Sequence, residues 1–251
     1  MKKILFLSLI LIMSASVLFI TGCSKKEDSS VITIASDATW PPMEFLNENK
    51  EIIGFDVDLI KAAAKAGGFE VKVVNTAWDG IFAGLANGNY DAVISSVTIT
   101  DDRKAAMDFS VPYINAGQVL IVAKESSGMT TLADMAGKKV GAQIGTTGAI
   151  AISDAGNVEL KTYDELGLAI EDLANGNIEG VVADSPIAAD YVLGNDTYKS
   201  VLEIVGEPFT DEFYGVAVKK GNSDILAILN AGLESVIASG ERDELINKWL
   251  R

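Results

Sequence analysis

Three groups of polar residues have the types and spacing to hold a small charged solute. Ser95, Ser96 and Thr98 follow an apolar run and lead to Arg103, whose planar guanidinium suits a two-point grip on a carboxylate. Gly145-Thr146-Thr147-Gly148 reads as a Gly-rich turn opening a helix, where free backbone N–H groups favour an anion. Asp184, at the end of another apolar run, supplies the opposite charge. A carboxylate-binding corner and an ammonium-binding Asp together describe the α-carbon end of an amino acid. Taken singly, each has a simpler explanation. Arg103 within Asp101-Asp102-Arg103-Lys104 is also what a solvated helix start looks like, and Asp184-Ser185-Pro186 is also an ordinary N-cap.

Composition removes other chemistries. The 251 residues contain no His and one Cys, so there is no Ser-His-Asp triad, imidazole base, His-ligated zinc, internal disulfide or CxxC pair. No metal or other cofactor is expected. With 20 basic against 35 acidic residues the formal charge is -15, and no basic run is present to neutralise phosphates, which argues against nucleic acid.

Stepping along the chain, strand and helix patterns alternate. Strands are expected at 31–36, 69–75, 91–96, 139–144, 158–163 and 178–183, and helices at 56–66, 79–86, 147–154 and 165–174. Such alternation predicts an α/β fold with mainly parallel sheets. One pentapeptide recurs: Leu85-Ala86-Asn87-Gly88-Asn89 returns as Leu173-Ala174-Asn175-Gly176-Asn177, each ahead of an apolar strand. Asn-Gly ends many helices on its own account. If the copies are equivalent, the chain holds two similar α/β lobes. Ligands of open α/β sheets bind beyond the carboxyl ends of the strands. Here those ends are Ser96 and Asp184.

The mean hydropathy of +0.27 has a local source. Lys2 and Lys3 precede an uncharged apolar run from Ile4 to Ile20, followed by Ile20-Thr21-Gly22-Cys23 and a polar stretch to Ser30. This resembles a bacterial lipoprotein signal (1–22) with a lipobox, Cys23 as the acylated first mature residue, and a tether over 23–30; the alternative is an uncleaved anchor. Cleavage would leave 18 of the 20 basic residues against 35 acidic ones, a charge of -17.

Further along, Gly54-Phe55-Asp56-Val57-Asp58-Leu59, the stretch Ser95-Ser96-Val97-Thr98-Ile99-Thr100-Asp101-Asp102-Arg103-Lys104, Asp108-Phe109-Ser110, and Lys139-Val140-Gly141 running to Gly145-Thr146-Thr147 occur in order. Together they resemble the extracellular solute-binding proteins of polar amino-acid ABC transporters, over essentially residues 31–251. The resemblance implies a two-lobed periplasmic-binding-protein-like fold (type II), with two crossing hinge strands and no enzyme activity. Lobe 1 would span 31–114 plus 218–251, lobe 2 would span 118–214, and the hinges would lie at 115–117 and 215–217.

By the same resemblance, Arg103 holds the ligand α-carboxylate with Ser96 and Thr147, Asp184 and Thr98 bind the α-ammonium, and Ser95 faces the side chain. Trp40 and Trp78 form aromatic walls, core packing being the plainer role for each. Asp37 meets the distal end of the side chain, and Gln143 lines the same pocket. An Asp37 carboxylate between two indoles favours a cationic tip, so a basic amino acid is expected, arginine or lysine first. Glutamine or another polar amino acid is the alternative, since Asp37 can accept from an amide. Gln143 adds a contact relative to the relatives, whereas Gly148 removes one. The resemblance further implies a membrane permease as partner, a lipid-tethered monomer outside the cytoplasm, and closure of two lobes as the capture step. Two remoter expectations are a ligand-sensing module for a signalling partner and an enzyme similar to the cyclohexadienyl dehydratases. The latter would have to use carboxylates such as Asp37 or Glu44, and Glu44 reads as structural.

Overall fold

The computed structural model describes residues 31–126 and 128–251, so the expected signal segment, Cys23 and the tether lie outside the described residues. The first lobe begins with β1 (Ile32–Ser36), β2 (Thr39–Trp40), β3 (Glu44–Leu46), β4 (Ile52–Ile53) and α1 (Phe55–Gly67). It continues through β5 (Val71–Asn75), α2 (Ile81–Asn87), β6 (Ala92–Val93), α3 (Asp101–Ala106) and β7 (Met107–Phe109). Strand β8 (Ile114–Ala116) crosses to the second lobe. There β9 (Gln118–Ala123), β10 (Lys139–Gln143), α4 (Thr147–Asp154), β11 (Glu159–Tyr163) and α5 (Leu166–Ala174) precede β12 (Gly180–Asp184), α6 (Ser185–Gly194), α7 (Asp196–Val201) and β13 (Leu202–Val205). Strand β14 (Glu212–Tyr214) returns to the first lobe, which adds β15 (Ala217–Lys219), α8 (Ser223–Ser239) and α9 (Glu241–Trp249).

Each lobe is a five-stranded sheet, ordered β5-β1-β6-β15-β7 in the first and β11-β10-β12-β9-β13 in the second. In both, four strands run one way and a single one, β15 or β9, runs antiparallel between the third strand and the edge strand. The recurring pentapeptide occupies the same place in each. Gly88 and Gly176 take left-handed backbone, φ 77° and 73°, and the following Asn N–H groups reach back to Gly84 O and Asp172 O. Three residues after each glycine an acid, Asp91 or Glu179, accepts from the neighbouring strand's N–H at Thr33 or Lys139, 2.8 Å in both cases. The repeat is therefore structural. It aims the carboxyl ends of β6 and β12 at the space between the lobes.

Packing explains why the frame is firm. Helix α1 buries Phe55, Val57, Leu59, Ile60 and Ala63 completely, and each fully buried large apolar side chain is worth about 1.5–3 kcal/mol. Helix α8 crosses it closely enough that a Cβ on Gly232 would lie 2.3 Å from Ala63 O. The lobes join through β8 and β14, an antiparallel pair in which Glu212 faces Ala116 and Tyr214 faces Ile114. Most expected elements form within a residue or two of their predicted ends. The strand expected over 91–96 is the exception, since pairing stops at Val93 and Ser96 turns to φ 49°. No helix of the described residues is long and apolar enough to cross a membrane.

Candidate functional site

A narrow cavity of about 20 Å³ lies between the lobes, lined by Asp37, Trp40, Trp78, Ser95, Ser96, Thr98, Arg103, Gln143, Thr146, Thr147 and Asp184. All ten residues singled out from sequence are thus brought together, with Thr146 added. Asp37 follows β1, Ser95 and Ser96 follow β6, Gln143 ends β10, and Asp184 ends β12. These are the carboxyl ends of parallel strands, as open α/β sheets require.

The simpler explanations for Arg103 and Asp184 do not describe them. The Arg103 guanidinium donates to Thr98 O at 3.0 Å and, across the cleft, to Gly145 O at 3.2 Å. It also stacks 5.5 Å from the Trp78 ring and 5.2 Å from Phe82. Burial lowers its pKa, while the charges of Asp184 and Glu212 oppose that shift. Asp184 sits at the N-cap of α6 without capping it. Its Oδ1 instead accepts from the Tyr214 hydroxyl at 2.7 Å. Burial pushes the Asp184 carboxyl up to about 6, the Tyr214 bond draws it down and the Glu212 charge raises it further.

At the other end, Asp37 Oδ1 accepts from Thr39 Oγ1 at 2.9 Å and Oδ2 from Gln143 Nε2 at 2.9 Å. Burial raises the Asp37 pKa against both bonds. Gln143 Nε2 also donates to Asp164 O at 2.9 Å. Because both of its partners are acceptors, the amide cannot be flipped, and its Oε1 has no donor among the described residues. This end of the cavity therefore presents acceptors. Trp40 and Trp78 are almost fully buried, Trp40 in a hydrophobic cluster that runs through both lobes and Trp78 in one confined to lobe 1, while both also line the cavity. Trp40 lies in the short strand β2, paired with β3 at Glu44.

Behind this wall lies a buried acidic network. Ser95 Oγ accepts from Asp37 N–H at 3.0 Å and donates to Glu44 Oε1 at 2.8 Å. Asp56 Oδ2 accepts from Ser96 N–H and from the Tyr113 hydroxyl, each at 2.8 Å, which holds Ser96 in its left-handed backbone. Glu44 Oε2 and Asp56 Oδ1 are buried with no donor among the described residues. Burial raises both carboxyls, Asp56 to about 6 and Glu44 well above its usual range, with the Asp56 charge raising Glu44 further. Glu44 is structural, as its sequence context suggested. Ser96 Oγ is buried with no partner among the described residues, so its hydroxyl is free to donate into the cavity.

Two residues were not read correctly from sequence. Glu212 was missed: its Oε2 accepts from Thr98 Oγ1 at 2.8 Å and from Thr147 Oγ1 at 2.7 Å. The signal was the i, i+2 pair Glu212 and Tyr214, whose side chains share the buried face of β14 while Phe213 between them is exposed. Gly148 was read as the loss of a ligand contact. A Cβ there would instead meet Gln118 Oε1 at 2.8 Å and Val182 at 3.2 Å, so the glycine serves close packing.

The sequence profile of the bacterial extracellular solute-binding proteins, family 3, matches residues 32–251. The chain belongs to that family. A probable histidine-binding protein of Neisseria gonorrhoeae is 40% identical over 224 residues, covering 87% of this chain and 82% of that protein. Among solved structures, the arginine-, lysine-, histidine-binding protein ArtJ of Geobacillus stearothermophilus superposes with a TM-score of 0.81 at 36% identity, covering 87% of this chain and 94% of the other. An ancestral arginine-binding protein solved with glutamine gives a TM-score of 0.82 at 40% identity, covering 87% of this chain and 97% of the other. This family 3 solute-binding protein thus shares its two-lobed architecture with receptors for amino acids, and its relatives serve transport, not catalysis.

Proposed function

We propose that this solute-binding protein captures a basic amino acid, arginine or lysine first, by closing two lobes around it. The observation that carries the choice is the distal end of the cavity, where Asp37 and the Oε1 of Gln143 offer acceptors while both N–H bonds of Gln143 are spent on Asp37 and Asp164. A guanidinium or ammonium satisfies such a wall, and Trp40 and Trp78 add ring faces to it. A glutamine carboxamide, being neutral, would leave the buried Asp37 carboxylate without a countercharge.

At the α-carbon end, Arg103, Ser96 Oγ and the backbone N–H of Thr147 would hold the carboxylate. Asp184 and the lone pairs of Thr98 Oγ1, whose proton goes to Glu212, would hold the ammonium. Asp37, Trp40, Trp78 and Arg103 belong to lobe 1, and Gln143, Thr147 and Asp184 to lobe 2, so a ligand touching both favours the closed form by its differential affinity. In this proposal the bodies that move are 31–114 plus 218–251 and 118–211, with β14 staying with the first body because it is bonded to Thr98 and Ile99. The protein acts as a monomer, tethered through Cys23 outside the cytoplasm, and delivers its ligand to an ABC permease.

A second reading, glutamine, is favoured by one observation: an arginine-binding relative of 40% identity has been solved with glutamine bound. Isothermal titration of the mature protein with arginine, lysine, histidine and glutamine separates the two. Tight glutamine binding with no response to the cations would reverse the order.

A further inference from the structure

We propose that Glu212, carried on the crossing strand β14, is a closure brace, a positioning residue that sets how long the closed complex lives. Its Oε2 accepts from Thr98, which belongs to lobe 1, and from Thr147, the first residue of α4 in lobe 2. Gln118 Nε2, at the start of lobe 2, lies 3.5 Å from the same oxygen and 3.1 Å from Thr147 Oγ1. The other oxygen, Oε1, accepts from Thr210 Oγ1 at 2.9 Å, which in turn accepts from the Gln118 N–H at 2.8 Å. Both carboxylate oxygens are thereby committed to protein donors, and the residue is only 7% exposed.

The strand itself is held on the lobe 1 side. Thr98 pairs with Tyr214 in an isolated bridge, Ile99 N–H donates to Phe213 O at 2.8 Å, and Gly215 N–H donates to Val97 O at 3.0 Å. A rotation of lobe 2 that widens the cavity while β14 stays with lobe 1 separates the Thr147 hydroxyl from Glu212. Opening breaks a charge-assisted bond at the hinge, at the same two threonines that flank the solute. Closure and occupancy are coupled through these hydroxyls, with no contact needed between Glu212 and the ligand. Glu212 also adds negative charge facing Arg103 and Asp184, so bracing and charge have to be told apart.

Substitution separates them. In Glu212→Gln the amide oxygen can still accept from both threonines and the Nε2 can donate to Thr210, so the brace survives while the charge is lost. Glu212→Ala loses both. The off-rate part of this proposal rests on the amino-acid-binding function proposed above. With arginine as ligand, stopped-flow fluorescence of Trp40 and Trp78 should show an off-rate raised by roughly tenfold or more in Glu212→Ala, as loss of bonds to a charged group implies, and by less than about threefold in Glu212→Gln. On-rates should stay within about threefold of the parent, since encounter occurs in the open form. Small-angle scattering without added amino acid supplies a readout independent of any ligand: Glu212→Ala should have a larger radius of gyration than the parent and Glu212→Gln. Equal off-rates and equal radii in all three proteins would overturn the brace. Off-rates equally raised in both variants would also overturn it, in favour of charge alone. A parent protein that binds none of the four amino acids would overturn the proposed function, and the scattering comparison would then decide the brace by itself.

Discussion

Gln143 Nε2 lies 2.9 Å from Asp37 Oδ2, a bond between the lobes that joins the carboxyl ends of β10 and β1. It orients the amide and leaves Asp37 as the one charged group at the distal end of the cavity. Asp37→Asn removes that charge while its carbonyl oxygen still accepts from Gln143 and its NH2 can donate to the Thr39 hydroxyl oxygen, which reverses the bond there. Arginine affinity should fall by about 2 kcal/mol or more, some thirtyfold, as expected for a hydrogen bond to a charged group. Glutamine affinity should hold or rise. Paired titrations with both amino acids check this, and an equal loss for the two would remove Asp37 from any role in discrimination.

Arg103 and Asp184 act on the part of the ligand common to every amino acid. Arg103→Ala or Asp184→Ala should each weaken arginine, lysine and glutamine alike, by about 3–5 kcal/mol, because an opposite charge is left buried without a partner. Unfolding midpoints without ligand distinguish a lost contact from a misfolded variant. Unchanged affinity in either variant would defeat the assignment of the α-carbon end.

Much of this arrangement was legible in the chain because it depends on local grammar. Apolar runs of strand length, Asn-Gly helix stops and the polar residues just after each strand located β1, β6, β10 and β12 and the side chains at their ends. The repeat was legible for the same reason, since Gly88 and Gly176 both need the left-handed backbone that glycine adopts without cost. What escaped is long-range. Glu212 meets Thr98 across 114 positions and Thr147 across 65, and the i, i+2 spacing of Glu212 and Tyr214 hints at a shared face without naming these partners. The end of pairing at Val93 is likewise set by Asp56, forty positions before Ser96, which captures the Ser96 N–H. Only the folded chain reveals what packs against a glycine, and Gly148 was misread for that reason.

Gly148→Ala tests the packing explanation directly. The added methyl would lie 2.8 Å from Gln118 Oε1 and 3.2 Å from Val182; Val182 belongs to the buried strand β12, and Gln118 gives way only by disturbing its bond to Thr147. Overpacking of this kind costs about 1–3 kcal/mol. Chemical unfolding should therefore show a lower midpoint. Arginine affinity should fall as well, because Gln118 donates to Thr147 at 3.1 Å. A variant as stable as the parent would show that the site has room for a side chain.

Acid should move stability and affinity in opposite directions. The Asp184 and Asp56 carboxyls are raised by burial to about 6, above their usual value of 3.8, so the folded protein holds protons that the unfolded chain releases. A raised carboxyl contributes stability that is fully present below its unfolded pKa and is lost as pH rises through the folded one. The protein without ligand should accordingly become more resistant to unfolding as pH falls from 7 toward 5. The lowered carboxyls of Asp108, Asp134, Glu159 and Asp172 oppose this trend only near and below their ordinary values of 3.8 to 4.5. Ligand binding, by contrast, needs Asp184 ionised to meet the ammonium. One pH unit below its pKa about a tenth of it remains charged, so affinity at pH 5 should be about tenfold weaker than the plateau above pH 7. Titrations from pH 4.5 to 8, alongside unfolding midpoints at the same pH values, measure both trends. Asp184→Asn should keep its residual affinity nearly flat across that range, and an acid-weakened affinity that persists in this variant would place the responsible proton elsewhere.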